Sequence, residues 1–587
     1  MVNESFNERP KANEKKRALA YISKLLDDAR KDKNKNQSDI VELEEVQRLL
    51  NIKRYGLVWE EHAEKVEEEM KTKIPIFVED EHKKITDNPE KSDYNFLLEG
   101  DNLHSLHLLE KTHANSIDII YIDPPYNTGH KDFIYNDDYV EKEDNFSHSK
   151  WLSFMKRRLE LAKSLLKKDG VIFISIDNKE GYQLKLLLDE IFGFNNMAAD
   201  IHVETSAVAG PRRYAAVNGS VVKTAEFVFA YTSDGHSNII KQPMYDSILG
   251  YDTHYSLFWD EKNNVIEPLI DWIKNNELLS LQFTNAGLKI NMPSLNKLMY
   301  VNPILRDWIY KKEISSHIFR QGDVISIDDN MLNKLSQNKI MLIDGKYVTL
   351  NKKDKPIVLF RYLDRLGVSD DYTPSYGERT IRGNLWKGFS ADGGNLASEG
   401  GITFKNGKKP KRLIKQLIKS ATDMNSKDII VLDFFAGSGT TGQAVMELDS
   451  ESNGNYHFIL ATNEEVIETT YQRMLNVSKD TPMNLKYFKT FFVSKDDEDI
   501  ENELLDNVKT LVELQWGVDL TSSSIRIVTT LAEAKSIELK GLTKVYMRAQ
   551  VHSMLTQEQV TKYNQTGVTI YDIPESYFSK ELREQGL

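Results

Sequence analysis

"IDIIYIDPPYNTG", residues 117–129, decides how the rest of the chain is read. The uninterrupted apolar run Ile119–Ile122 predicts a strand buried on both faces, the kind found in parallel sheets. Pro124 and Pro125 end it at once, because neither carries an N–H for a strand ladder. The strand therefore delivers Asp123, two rigid prolines and Tyr126 to the carboxyl edge of a sheet, where open α/β sheets bind their ligands. A carboxylate beside an aromatic ring suits a planar ligand that donates hydrogen bonds.

On both sides of this stretch strands alternate with helices. "YNFLLEGDNLHSLHLL" (94–109) reads as strand, turn and helix, and "SKWLSFMKRRLELAKSLL" (149–166) as a helix. "GVIFISID" (170–177) reads as a strand ending in Asp177, and "LKLLLDEIFG" (184–193) as a helix closed by Gly193. The alternation lapses over 201–384, where short alternating strands appear, with a hairpin turning at Asp344-Gly345 and aromatic and basic residues interleaved. It resumes over 385–490 with a helix at 413–422, the strand and glycine turn "DIIVLDFFAGSG", a helix at 440–448 and the strand "NYHFILAT". The prediction is an α/β fold, a doubly wound parallel sheet in two parts, 91–200 and 385–490, interrupted by an insertion at 201–384. A charged helical region, 1–90, precedes it and an α+β unit, 491–587, follows.

With 587 residues the chain exceeds a single core. No run approaches the roughly 18 apolar residues of a membrane span, and the N-terminus lacks the apolar core of a signal peptide. A cytoplasmic location with no membrane contact is expected. The absence of cysteine excludes disulfides, thiolate zinc sites and cysteine nucleophiles. A net charge of −13 argues against nucleic acid only if charge is evenly spread. It is not: Lys405, Lys408, Lys409, Lys411, Arg412, Lys415 and Lys419 crowd together, and a second run from Asp496 to Asp506 is acidic. Two solvated helix faces are the alternative to a functional reading of these runs.

The second chemical loop is "VLDFFAGSGTTGQAV", residues 431–445. Asp433 ends a buried strand, Gly437 and Gly439 permit a tight turn close to a ligand, and Thr440 and Thr441 can cap the next helix. The turn suits an adenosine-containing cofactor; a close-packed strand-to-helix turn is the alternative. No G-x-x-x-x-G-K-[ST] phosphate loop occurs, which argues against a nucleotide triphosphatase.

Together, Asp123-Pro124-Pro125-Tyr126 and Phe435-x-Gly437-x-Gly439 resemble the paired motifs of amino-group DNA methyltransferases. The resemblance implies a Rossmann-like S-adenosylmethionine-dependent sheet, circularly permuted because the catalytic motif precedes the glycine motif, with the insertion as target recognition domain. It implies that Asp123 and the Pro124 carbonyl accept the two N–H bonds of a flipped base's amine, with Pro125 keeping the loop rigid and Tyr126 stacking on the base. Asp101, Lys409, Asp433, Phe435, Gly437, Gly439 and Thr440 would hold the cofactor, with Lys150 nearby. The ribose role falls to Glu464 and Glu465, beside Thr462 where the family usually carries an acid. "KTAEFVFAY", from Lys223, matches a further family segment, and Arg212, Arg213 and Lys223 are expected to bind the DNA. Cytosine C5 transfer is excluded because it needs a cysteine; cytosine N4 stays open, although that branch usually has Ser in place of Asp123, and adenine N6 is the expectation. No metal is required. His104 and His107, three apart on a helix, have no third ligand and read as an exposed face.

Residues 53–69 and 570–586 resemble the termini of the modification (Mod) subunit of type III restriction–modification systems. That implies a homodimer acting on double-stranded DNA, with a separate helicase-nuclease restriction (Res) subunit as partner. A solitary methyltransferase and a catalytically idle DNA-binding module are the alternatives.

Overall fold

The structure is a computed structural model that describes residues 14–31, 37–51, 59, 62–127, 147–235, 239–394, 396–404, 407–423, 428–452 and 455–577. Residues 53–58, 60 and 61 of the 53–69 segment, residues 128–146, Lys405 and residues 578–586 lie outside the described residues. Residues 1–61 form one compact unit. Its helices, Glu14–Arg30 and Gln37–Asn51, are joined by Gln47 Nε2 donating to Ser23 Oγ at 2.8 Å and by an Arg30–Glu44 pair at 2.6 Å.

In the unit from 62 to 587, eleven strands of the described residues make one sheet. Across it run Lys73–Glu79, Asn484–Ser494, Asn95–Glu99, Tyr456–Thr462, Ile429–Asp433, Ile117–Ile122, Leu166–Ile176, Ala225–Thr232, Met197–Glu204 and Leu385–Trp386; Ile85–Thr86 also pairs with Asn484–Ser494. The six from Asn484–Ser494 to Leu166–Ile176 are parallel. They read as unbroken apolar runs because both faces are covered: Ile119, Ile120, Val431 and Leu432 are buried almost completely.

The two central strands decide where a ligand can go. Helix Thr440–Glu451 carries the chain from Ile429–Asp433 to one side, and helix Ser147–Leu165 carries it from Ile117–Ile122 to the other. Their outgoing connections diverge, which opens a crevice at the carboxyl ends of the pair. The register, Val431 opposite Ile119 and Leu432 opposite Ile120, brings Asp433 and Asp123 to that crevice together.

Several expectations need correction. The region up to residue 90 is not wholly helical: "KIPIFVE" (73–79) is a strand, antiparallel to Asn484–Ser494. The sheet does not stop at 200; Met197–Glu204 and Ala225–Thr232 extend it, so residue 201 falls inside a strand. Nor is the insertion mainly strands. It has a six-stranded and a three-stranded sheet, with the hairpin at Asp344-Gly345 as expected, but also helices Glu277–Asn285, Met292–Val301 and Pro303–Tyr310. Asn276, Asn291 and Asn302 cap them by accepting from the backbone N–H of Leu279, Ser294 and Leu305, a start signal legible in the sequence. The boundary at 491 also fails, since the last long strand runs to Ser494 and Glu513 pairs with the buried Lys486 of that strand at 2.8 Å. A separate parallel sheet of Ile525–Val528, Lys544–Arg548 and Thr569–Ile573 then follows. Finally, His104 is buried, its ring edge-on to Phe492 at 5.0 Å, and burial lowers its pKa.

Candidate active site

The loop after Ile117–Ile122 is fixed by its neighbours. Trp151, fully buried on helix Ser147–Leu165, donates its indole N–H to the Pro125 carbonyl at 2.7 Å. Asn127 takes left-handed backbone, φ 52°, and donates to Glu180 at 2.6 Å. At the loop's tip the Tyr126 hydroxyl donates to Asp123 Oδ1 at 2.7 Å. The Lys409 ammonium lies 3.1 Å from the same oxygen, 3.4 Å from Glu226 Oε2 and 4.6 Å from the centre of the Tyr126 ring.

Burial pushes the Asp123 carboxyl upward, and Lys409 and the Tyr126 hydroxyl oppose that rise. Burial alone would lower Lys409, but the carboxylates of Asp123 and Glu226 outweigh it and hold the ammonium charged above its usual range. Burial and then the Asp123 charge raise Tyr126 well above its normal value, so the hydroxyl keeps the proton it donates to Asp123.

The glycine loop is stitched from within. Asp433 Oδ1 accepts the Phe435 N–H at 2.9 Å and Oδ2 the Thr441 hydroxyl at 2.5 Å. Burial raises Asp433 to about 7, against the pull of those two donors. Gly437 and Gly439 hold φ of 49° and 73°, a region L side chains rarely adopt. Behind the loop, helix Glu464–Asp480 supplies Thr470, whose hydroxyl donates to the Gly437 carbonyl at 2.5 Å, and buried Arg473, which donates to Thr440 Oγ1 at 2.7 Å and to Glu399 at 3.1 Å.

Both loops line one cavity of about 730 Å³. It brings together Asp123, Pro124, Pro125, Tyr126, Lys409, Asp433, Phe435, Gly437, Thr440 and Arg212. Other expected residues stand apart from its lining. Gly439 packs its backbone toward Thr470 and Met474. Asp101 caps helix Asn102–His113 at the Leu103 N–H, 2.8 Å, and meets the buried Arg158 at 3.2 Å, so it serves the fold. Glu464 and Glu465 are exposed at the start of their helix, and the next residue, Val466, is the one that lines the cavity. Arg213 is exposed, and Lys223 lies 3.3 Å from Asp177 and 3.9 Å from Glu226.

Sequence reasoning missed Glu226, Trp151, Arg473 and Thr441's tie to Asp433. Glu226 sat inside "KTAEFVFAY" and Trp151 inside the helix after the catalytic strand, but nothing in either segment says which residue turns toward the catalytic loop. Lys408 also departs from a solvated face: it is buried, donates to the Glu399 carbonyl at 2.5 Å, and burial beside Arg473 lowers it to about 8.

The family profile for N6/N4 DNA methylase matches residues 117–459, more than half of the chain and both chemical loops. The chain belongs to the DNA methylase family. Among relatives of this family member, the EcoPI Mod subunit of Escherichia phage P1, a type III restriction–modification enzyme, is 30% identical over 65% of this chain and 59% of its own. The EcoP15I Mod subunit of Escherichia coli is 26% identical over 66% and 64%. The type II methyltransferase M.KpnI of Klebsiella pneumoniae is 28% identical over 63% and 81%. The chain spans between about half and two thirds of the length of the Mod subunits it matches. The structure of PvuII DNA methyltransferase (cytosine-N4-specific) aligns with 75% of this chain and 99% of that one, at 14% identity and a TM-score of 0.30.

Proposed function

We propose that this chain methylates N6 of an adenine flipped out of double-stranded DNA, using S-adenosylmethionine, as the modification and recognition subunit of a type III-like restriction–modification system. The observation that carries the reading is the single cavity in which a carboxylate at one strand end, with a tyrosine ring beside it, faces a glycine turn at the adjacent strand end.

The residues present fit the cofactor. The volume lies within the roughly 300–1,000 Å³ of small-molecule sites. Next to the Gly437 backbone a Cβ would meet only the Phe435 carbonyl, at 3.7 Å, so close approach of a ligand is open there. Carboxyl groups of Asp123, Glu226 and Asp433 border the cavity, which gives it an acidic lining toward a positively charged sulfur. Bound there, S-adenosylmethionine supplies an electrophilic methyl and leaves as the neutral thioether.

An adenine amine is a weak nucleophile because its lone pair is delocalised into the ring. Asp123 and the Pro124 carbonyl, each accepting one N–H, draw the nitrogen toward tetrahedral geometry and free that pair. Tyr126 supplies the face on which an extruded base stacks. As the carbon–nitrogen bond forms and the carbon–sulfur bond breaks, the amine sheds one proton, and Asp123, whose proton affinity burial raises, stands where it can take it.

The type III reading rests on the four Mod subunits among the relatives, and with it come the homodimer and a helicase-nuclease partner. Similarity to the type II methyltransferase M.KpnI over most of that enzyme favours, as second reading, a methyltransferase that works without a Res subunit. No described helix is long and apolar enough to cross a membrane.

Transfer of labelled methyl to mixed-sequence duplex DNA, followed by nucleoside analysis, tests the proposal. N6-methyladenine that disappears in Asp123→Ala is expected. N4-methylcytosine would correct the base, and no transfer with no cofactor binding would overturn the enzyme reading.

A further inference from the structure

A target amine entering this site meets a nitrogen already in place. To react as proposed above, the amine must come within roughly 2.7–3.2 Å of Asp123 while its ring stacks on Tyr126. Lys409 Nζ occupies that location, 3.1 Å from Asp123 Oδ1 and 4.6 Å from the Tyr126 ring centre. Two nitrogens cannot share it. Resting on that reading of the site, we infer that Lys409 is a built-in stand-in for the target amine: it fills the amine subsite when no base is bound and yields it by withdrawing onto Glu226.

The surroundings suit such a withdrawal. Glu226, at the start of strand Ala225–Thr232, is already 3.4 Å from the ammonium through Oε2, while its other oxygen faces Lys223 at 3.9 Å. Lys409 therefore sits between two acceptors, and a short movement of its flexible stem exchanges one for the other. Its main chain need not move, since the next residue, Pro410, is the N-cap of helix Lys411–Ala421. The cation stays inside the site in either position, and Glu226 gains the counter-charge that Asp123 gives up.

The exchange also times the chemistry. With Lys409 on Asp123, the ammonium opposes the rise that burial gives the carboxyl and favours its ionised, accepting form. Once the base has entered, Asp123 faces a neutral N–H donor in place of a cation, and its proton affinity rises. That is the stage at which the methylated amine must lose a proton. The other groups whose charge bears on Asp123 are Tyr126 on its own loop, Tyr121 on its own strand, Glu226 on Ala225–Thr232 and Asp433 on Ile429–Asp433. Of all of these only Lys409 carries positive charge.

The test uses the full chain with Lys409→Met and, separately, Glu226→Gln. Ionisation of Asp123 is followed in protein without DNA from the infrared carboxylate band, each spectrum being subtracted against the same chain with Asp123→Asn. Single-turnover transfer is measured against pH on a duplex that the wild type methylates. In Lys409→Met the Asp123 midpoint rises by more than one pH unit. Transfer then falls about tenfold for each pH unit below the new midpoint, returns toward the wild-type level above it, and KM for DNA does not rise. In Glu226→Gln the midpoint falls, transfer drops at every pH, and KM for DNA rises because the lysine has no second acceptor. Lys409→Arg, which keeps the charge on a wider head, retains the wild-type midpoint but raises KM for DNA.

An unchanged midpoint in Lys409→Met, or a loss of transfer that alkaline pH does not restore, would overturn the inference and leave Lys409 a structural or cofactor-holding residue. Because the midpoint is read without DNA or cofactor, the two failures are distinct. A wild type that methylates nothing defeats the proposed function, and an unmoved midpoint in an active enzyme defeats the stand-in alone.

Discussion

The loop at Asp433 takes its shape from short-range bonds, Asp433 to Phe435 and Thr441 with two left-handed glycines, and is braced from behind by Thr470 and Arg473 of one helix. In the loop at Asp123 only the Tyr126 bond is local. The other partners, Trp151, Glu180, Glu226 and Lys409, come from a helix, a turn, a strand beyond it and the far side of the insertion. The first loop is held by its own bonds together with helix Glu464–Asp480, and is suited to holding a ligand in one pose. The second is shaped by pieces that approach only after the chain has folded, and its charge balance depends on one lysine. Binding and chemistry are thus assigned to loops with different kinds of support, and substitutions should separate them.

The largest expected effect is on chemistry alone. Asp123→Ala should lower methyl transfer by at least the 10²–10³-fold or so typical of a lost transition-state contact, with the thermal midpoint essentially kept because Lys409 retains Glu226. A melt in parallel with a transfer assay reads both. Gly439→Val should act through binding instead. At φ 73° its Cβ would lie 3.0 Å from Thr470 Cγ2 and 3.2 Å from Met474 Cε, so the loop must shift. A cost of about 1–3 kcal/mol should appear in chemical unfolding, together with weaker cofactor binding by calorimetry.

Trp151→Phe sharpens the contrast further. It leaves the Pro125 carbonyl without its indole donor, costing about 1–3 kcal/mol, and should slow transfer while leaving cofactor affinity within a few-fold. Equal losses of both would show that the two loops move as one.

The last effect is on pH dependence. Burial raises Asp433 to about 7, above the roughly 3.9 of an unfolded chain. The stability associated with its protonated form is therefore complete below the unfolded value and is lost as pH rises through about 7. Asp433→Asn, which can still accept from Phe435 and donate to Thr441, should flatten that decline. Urea midpoints at pH 5 and pH 8 should differ less in the variant than in the wild type.

The same difference in support explains what the sequence revealed. Asp123, Tyr126, Asp433 and Gly437 were legible because a buried parallel strand is an apolar run and a tight turn needs glycine, both local facts. The hairpin at Asp344-Gly345 was legible for the same reason, with φ of 49° and 74° at the turn. The helices of the insertion were missed although Asn276, Asn291 and Asn302 announce them, because the short apolar runs between those caps fit strand and helix alike. His104 was read as exposed since helical spacing cannot say that Phe492 closes over it. Glu226 was invisible as a partner of Lys409, because that pairing exists only through the adjacency of Ala225–Thr232 to the catalytic half of the sheet. The ribose acids were transferred by resemblance to Glu464 and Glu465, and both point to the limit of such transfer: they are exposed at their helix start.

The most direct measurement is the affinity of Asp123→Ala for S-adenosylmethionine by calorimetry, made on the preparation used for methyl transfer. Affinity within a few-fold of wild type with transfer abolished is the expected result, because the bonds of Asp433, Thr470 and Arg473 that hold the cofactor loop do not involve Asp123. A loss of affinity as large as that of Gly439→Val would contradict the division of labour between the two loops.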